Sequence, residues 1–320
     1  MEKKQAIKNF GNGLRIKGSM KTAIIDLGTN TFNLLIVEGE QTLFKTKIAV
    51  KLGEGGITKG FIAEAPFQRG LTALQAHLKT ITKYEVEQTL AFATSAIRSA
   101  SNGQAFVQSA KEQLGLDIRV IDGNREAELI YWGVRKALDL GIDNKLIMDI
   151  GGGSTEFIIC NKTEVFWKQS FQLGAARLLE KFQPKDPIST KDITDLENYL
   201  EAELLPLWNA LEKHPCATLV GSSGSFDTLS EVIAHQFYDI AILKGKTTYN
   251  FKLSDYRWLH EYLLKSTLQE RLNTPGMIPM RADMIVVGTV FINYLLNRQK
   301  MQAMKLSTYA LKEGVLEALK

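Results

Sequence analysis

The chain has 320 residues, 45% apolar and 23% charged, the balance of an ordinary globular protein long enough for two domains. No apolar run approaches the ~18 residues that a spanning helix needs, and no secretory signal is recognisable, so a cytoplasmic protein without a membrane partner is expected. A net charge of +4 tolerates a polyanionic ligand but does not mark a nucleic-acid binder.

Residues 1–19 are polar and glycine-containing, precede a second start at Met20, and read as a leader, added or disordered, outside the fold. "IIDLGTNTFNLLIV" (Ile24–Val37) then predicts two strands around a tight turn, with Asp26 at the end of the first. Gly28, Thr29, Asn30, Thr31 and Asn33 supply that turn's donors. A third β-rich run follows, then a helix at about 67–83, a strand "TLAFAT", another helix and a strand "LDIRVID". Arg98, in "ATSAIRSA", follows a strand where a guanidinium could reach a phosphoryl oxygen.

"NREAELIYWGVRKALDLG" reads as an amphipathic helix with Asn124 as its cap and Gly141 as its stop. Glu126 falls in its first turn, where the helix dipole favours a carboxylate. "LIMDIGGGSTEFIIC" (Leu146–Cys160) is a core strand ending at Asp149, then Gly151, Gly152 and Gly153, then Ser154, Thr155 and Glu156 opening a second strand. Glycines let backbone N–H groups approach phosphate oxygens, and the two carboxylates could hold a hard divalent cation. "GSSGSFDTL" places Gly221, Ser222, Ser223 and Gly224 at a strand-to-helix turn whose N–H groups could take another phosphate or a nucleotide. Arg281 and Asp283 read as a structural pair, and the final "ALKEGVLEALK" as an amphipathic helix packing back on the first domain. Cys160 and Cys216 sit in apolar runs and read as free thiols, while the four histidines lack metal-ligand spacing.

The two loop segments align without a gap: Asp26 on Asp149, Gly28 on Gly151, Thr31 on Ser154, and Leu34–Ile36 on Phe157–Ile159. Each is followed by a third β-rich run and then by helices. A three-stranded meander followed by helix and strand alternation implies a mixed α/β sheet, here built twice.

Several motifs stand in order: "AIIDLGTNTFNLLI", "GEG", "ATSAIRSA", "GNREAELIYWGV", "DIGGGSTEF", "GSSGSFDTL", "RADMIVVG" and "LKEGVLEAL". In them the chain resembles the Ppx/GppA family of exopolyphosphatases and guanosine pentaphosphate phosphatases, in its short two-domain form. That family belongs to the superfamily of actin, sugar kinases and the heat-shock chaperone ATPase. The resemblance implies an α/β fold of duplicated ribonuclease H-like domains with the active site in the cleft between them. The domains would be 20–124 with the terminal helix 304–320, and 125–303, hinged near Asp122–Asn124 and residue 304.

It further implies Glu126 as the glutamate that activates water, Arg98 beside the phosphate, and Asp149 and Glu156 as ligands of Mg²⁺ or Mn²⁺. Asp26 would orient water or metal from the facing loop. Family members commonly carry arginine two positions after the catalytic glutamate, where this chain has Glu128. The expected activity is Mg²⁺-dependent hydrolysis of terminal phosphoanhydride bonds of inorganic polyphosphate. Guanosine pentaphosphate (pppGpp) is the alternative substrate, and an actin-like ATP-binding kinase or assembly protein the alternative of another class. A homodimer is compatible with either.

Overall fold

A computed structural model of the protein describes residues 20–319, so the leader expected over residues 1–19 lies outside the described residues. The chain divides into two compact units: the described residues up to Lys136 together with those from Leu311, and Ala137–Ala310. Both crossings fall later than the boundaries expected at 124/125 and 303/304. The first difference arises because the helix bearing Glu126 belongs, all but its last residue, to the first unit's packing. The second arises because residues 303–307 form a strand of the second sheet.

The first unit opens with β1 (Lys21–Leu27), β2 (Thr31–Glu38) and β3 (Gln41–Ala49), an antiparallel meander. There follow α1 (Glu64–Lys83), β4 (Gln88–Ala93), α2 (Ser95–Ser99), α3 (Gly103–Leu114), β5 (Ile118–Val120) and α4 (Gly123–Ala137). The strand order is β3-β2-β1-β4-β5, with β1, β4 and β5 parallel. Apolar residues of β1 and β2 are buried on both faces, as strands covered by helices require. On α1 the buried positions Leu71, Leu74, His77 and Ile81 recur at helical spacing, giving one face to the core. Phe106 packs edge-on to Phe32 and Phe67, with ring centroids 6.2 and 5.0 Å away.

The second unit repeats the plan. β6 (Lys145–Ile150), β7 (Thr155–Cys160) and β8 (Val165–Phe171) form the meander, followed by α5 (Ala175–Phe182), α6 (Thr190–Glu203) and α7 (Leu205–Lys213). Then come β9 (Thr218–Ser222), α8 (Ser223–Phe237), β10 (Thr248–Phe251), α9 (Leu253–Lys265), α10 (Leu268–Leu272), α11 (Ile285–Arg298) and β11 (Ala303–Ser307). The sheet order β8-β7-β6-β9-β11 matches that of the first unit, with β6, β9 and β11 parallel and β10 added antiparallel at the edge. The duplication expected from the aligned loops is therefore present in strand order and direction: two ribonuclease H-like α/β units, each a mixed sheet with helices packed on it.

The terminal helix α12 (Leu311–Ala318) returns to the first unit and lies against α4. A Cβ on Gly314 would come within 1.7 Å of the Leu129 carbonyl oxygen, so glycine permits the contact. Cys160 and Cys216 are free thiols, and burial pushes both above their ordinary value, Cys216 to about 12. Among the described residues no helix is long and apolar enough to cross a membrane.

Candidate active site

The expected site residues fall into two groups, one in each unit. In each unit they gather at the carboxyl ends of the parallel strands, where open α/β sheets place their ligands.

In the first unit Asp26 lies opposite Asn33 across β1 and β2, and the Asn33 amide donates to Asp26 Oδ2 at 3.0 Å. The turn between them closes with Gly28 N–H on Thr31 O at 3.1 Å. The segment after β3 grips this turn: Val50 and Lys51 N–H both donate to Asn30 O at 2.9 Å, and Gly53 N–H to Thr29 O at 3.3 Å. That segment is fixed in turn by Arg69, which donates to the Val50 and Lys51 carbonyls and pairs with Glu54.

Arg98, on α2 after β4, donates from one Nη1 to Glu126 Oε2 at 2.7 Å and to Ile121 O at 3.0 Å. The fold thus joins two expected catalytic residues 28 positions apart in a charge-assisted bond, with Glu126 buried. Arg98, expected to reach phosphate, has its guanidinium bonded to Glu126 and to the Ile121 carbonyl. α4 begins two residues earlier than the expected Asn124 cap allows. Asp122 does the capping, its Oδ1 accepting from Arg125 N–H at 2.9 Å. The expected hinge at Asp122–Asn124 is therefore the capped first turn of a helix. The helix ends at Ala137, short of the Gly141 stop. Glu128, where the family has arginine, pairs with Arg125 at 2.8 Å, so the departure is balanced within one turn.

In the second unit Asp149 lies opposite Glu156 across β6 and β7, and both are buried. The turn closes as its counterpart does, Gly151 N–H on Ser154 O at 3.0 Å. Asp149 Oδ2 accepts from the Ser222 hydroxyl at 2.5 Å, and Glu156 Oε1 from the Ser154 and Ser170 hydroxyls at 2.7 and 2.6 Å. Thr155, expected among the donors of the loop, turns away and donates to Leu173 O. The N–H groups of Gly152 and Gly153 donate to no described residue.

Ser222, Ser223 and Gly224 form the turn from β9 into α8. Ser223 holds a left-handed φ of 71°, a strained conformation for a side-chain-bearing residue. Gly221 and Gly224 are glycines for space: a Cβ would meet the Phe226 ring at 2.0 Å in the first case and Arg281 Nη2 at 1.8 Å in the second. Arg281 is thus packed onto the start of α8, and its buried Nε has no hydrogen-bond partner among the described residues. Burial pushes its guanidinium below the ordinary value, while Asp227, Asp149 and Glu231 pull it back. Those acids, rather than the expected Asp283, are its electrostatic neighbours; Asp283 accepts from Met284 N–H.

The repeat sharpens the metal question. Where the first unit sets an aspartate against an amide, the second sets it against a glutamate. Two like charges directly opposite across a sheet repel, and a cation would relieve them. Among the described residues no group of three or more His, Cys, Asp or Glu could hold a metal. Magnesium needs only one or two carboxylates and keeps its waters, so this hard oxygen donor set fits it.

The Ppx/GppA phosphatase family matches residues 35–319 of the chain. Among solved structures, an exopolyphosphatase from Cytophaga hutchinsonii is 43% identical, over 93% of this chain and 96% of that one, with a TM-score of 0.90. A PPX-GPPA enzyme from Aquifex aeolicus is 26% identical, over 93% and 99% of the two chains, with a TM-score of 0.75. The chain belongs to the Ppx/GppA phosphatase family, and by that membership it is a hydrolase.

Proposed function

We propose that the protein is an exopolyphosphatase, which removes terminal orthophosphate from inorganic polyphosphate with Mg²⁺, or Mn²⁺ in its place. The reading is carried by the second unit's loop, where glycine N–H groups without acceptors among the described residues adjoin two facing carboxylates. Such a loop suits a phosphoryl group and a cation together. Asp149 and Glu156 would hold the metal, whose chemistry is to neutralise charge on phosphoryl oxygens. Glu126, held through Oε2 by Arg98, takes the proton of the attacking water. Arg98 both orients this base and supplies positive charge near the leaving anion. Asp26, already bonded to Asn33, orients water or the ligand from the first loop.

The similarity to a 43%-identical protein described as an exopolyphosphatase supports polyphosphate as the substrate. Guanosine pentaphosphate presents the same anhydride, so the two are separated by kcat/KM for orthophosphate release from each, at saturating Mg²⁺. Polyphosphate is expected to be preferred by at least about tenfold, equivalent to ~1.4 kcal/mol. The reverse preference would assign the protein to the pentaphosphate. ADP formation that requires an acceptor would instead indicate a kinase.

A further inference from the structure

The second unit's glycine loop is held from behind, one peptide after another. Gly151 O accepts from Ala175 N–H at 2.9 Å, and Gly152 O from Ala176 and Arg177 N–H, both at 3.0 Å. Gly153 O accepts from Arg177 Nε at 2.9 Å. These bonds also serve α5, whose cap residue Gly174 makes no side-chain capping bond, so the loop carbonyls satisfy its first N–H groups. The fit is close: a Cβ on Gly174 would lie 2.4 Å from the Gly152 carbonyl.

In a trans peptide the N–H points opposite to the C=O. Tying back the carbonyls of Gly151, Gly152 and Gly153 therefore turns the N–H groups of Gly152, Gly153 and Ser154 to the other side. None of the three donates to a described residue. Successive N–H groups turned the same way make an anion cradle. Two of its peptides are held by backbone, which the helix fixes. The third is held by one side chain.

We propose that Arg177 is a positioning residue for the phosphate cradle, its Nε–H bond to Gly153 O setting the direction of the Ser154 N–H. The proposal rests on reading the glycine loop as a phosphate site. The same peptide carries Ser154, whose hydroxyl donates to Glu156, so a twist there would disturb the carboxylate as well. Arg177 acts through this bond rather than as a free charge, since its guanidinium is partly buried and Glu180 acts on it from within the unit. Its place in "GAARLL" gives no cue in the sequence, because only the folded loop brings Gly153 to it.

The test uses the full chain labelled with ¹⁵N-glycine and titrated with inorganic phosphate. In the wild type the Gly152 and Gly153 amide resonances shift on binding. In Arg177→Met, which removes the donor and keeps an apolar stem, the phosphate Kd weakens about tenfold, the loss of one charge-assisted bond. KM for polyphosphate rises by a similar factor, with a smaller fall in kcat. Arg177→Lys, which keeps the charge but has no donor at the Nε position, shows the same loss, and it decides the matter if the methionine variant does not fold. A variant with a lowered thermal midpoint but wild-type Kd and KM overturns the positioning role and leaves the cradle standing. No response of Gly152 or Gly153 to phosphate in the wild type overturns the cradle, and the proposal with it.

Discussion

Asn33 and Glu156 hold the same place in the two copies, and the difference between an amide and a carboxylate there separates the roles of the loops. Asn33 donates to Asp26 and leaves one charge. Glu156 adds a second charge opposite Asp149. Glu156→Gln recreates the first unit's pair in the second. On this account the Mg²⁺ concentration for half-activation rises on the order of tenfold or more, since losing even an indirect metal partner has that effect. Without metal, thermal denaturation in EDTA shows the variant at least as stable as the wild type, because like-charge repulsion is relieved. A wild-type activation curve would move the metal elsewhere.

His77 gives a second prediction for single residues. Its Nε2 meets Phe32 O at 3.0 Å, beside the first loop, and burial holds its pKa below the ordinary 6.5. His260 is shifted the same way by burial. In the folded state both stay neutral at pH values where the unfolded chain takes up protons. Stability is therefore full above about pH 6.5 and falls as the pH drops below it, by at most ~1.4 kcal/mol per unit for each histidine. Thermal midpoints from pH 8 to 5 should decline accordingly, and His77→Gln, which keeps a donor, should flatten part of the decline. An unchanged slope would exclude His77 as a contributor.

Among the elements, both loops are braced by the chain that follows their third strand: the 50–53 segment grips Thr29 and Asn30, and α5 grips Gly151 to Gly153. Gly174→Ala puts a methyl group into the Gly152 peptide. It should cost ~1–3 kcal/mol, as overpacking does, and raise KM for polyphosphate. Urea denaturation and steady-state kinetics read the two effects; a neutral substitution on both would mean that loop and helix separate freely. The loop pairs, the succession of strands and helices and the terminal helix were legible because each follows from local pattern and from the repeat itself. The Arg98–Glu126 bond and the Arg177 brace were not. They join residues through loop geometry, on which hydrophobic spacing is silent. The added strand β10 has no counterpart among the described residues of the first unit, so the repeat offered no template for it. The boundary falls after α4, and not before the motif containing Glu126, because α12 and Arg98 tie that helix to the first unit.

At the scale of the whole molecule, a duplicated fold has been turned to two purposes: one unit carries an acid–arginine pair, the other a glycine loop with facing carboxylates. The family membership accounts for the hydrolase, and the chemistry assigned to Glu126 is the central claim. Orthophosphate release from long-chain polyphosphate with Mg²⁺, measured for the wild type and for Glu126→Gln alongside a polyphosphate binding isotherm, tests it most directly. Glutamine keeps the shape and can still meet Arg98, but it cannot take water's proton. The expected result is that kcat falls ~10²–10⁴-fold while the dissociation constant for polyphosphate changes little. A variant that keeps a third or more of the wild-type kcat, as a rough bound far outside that range, would contradict it.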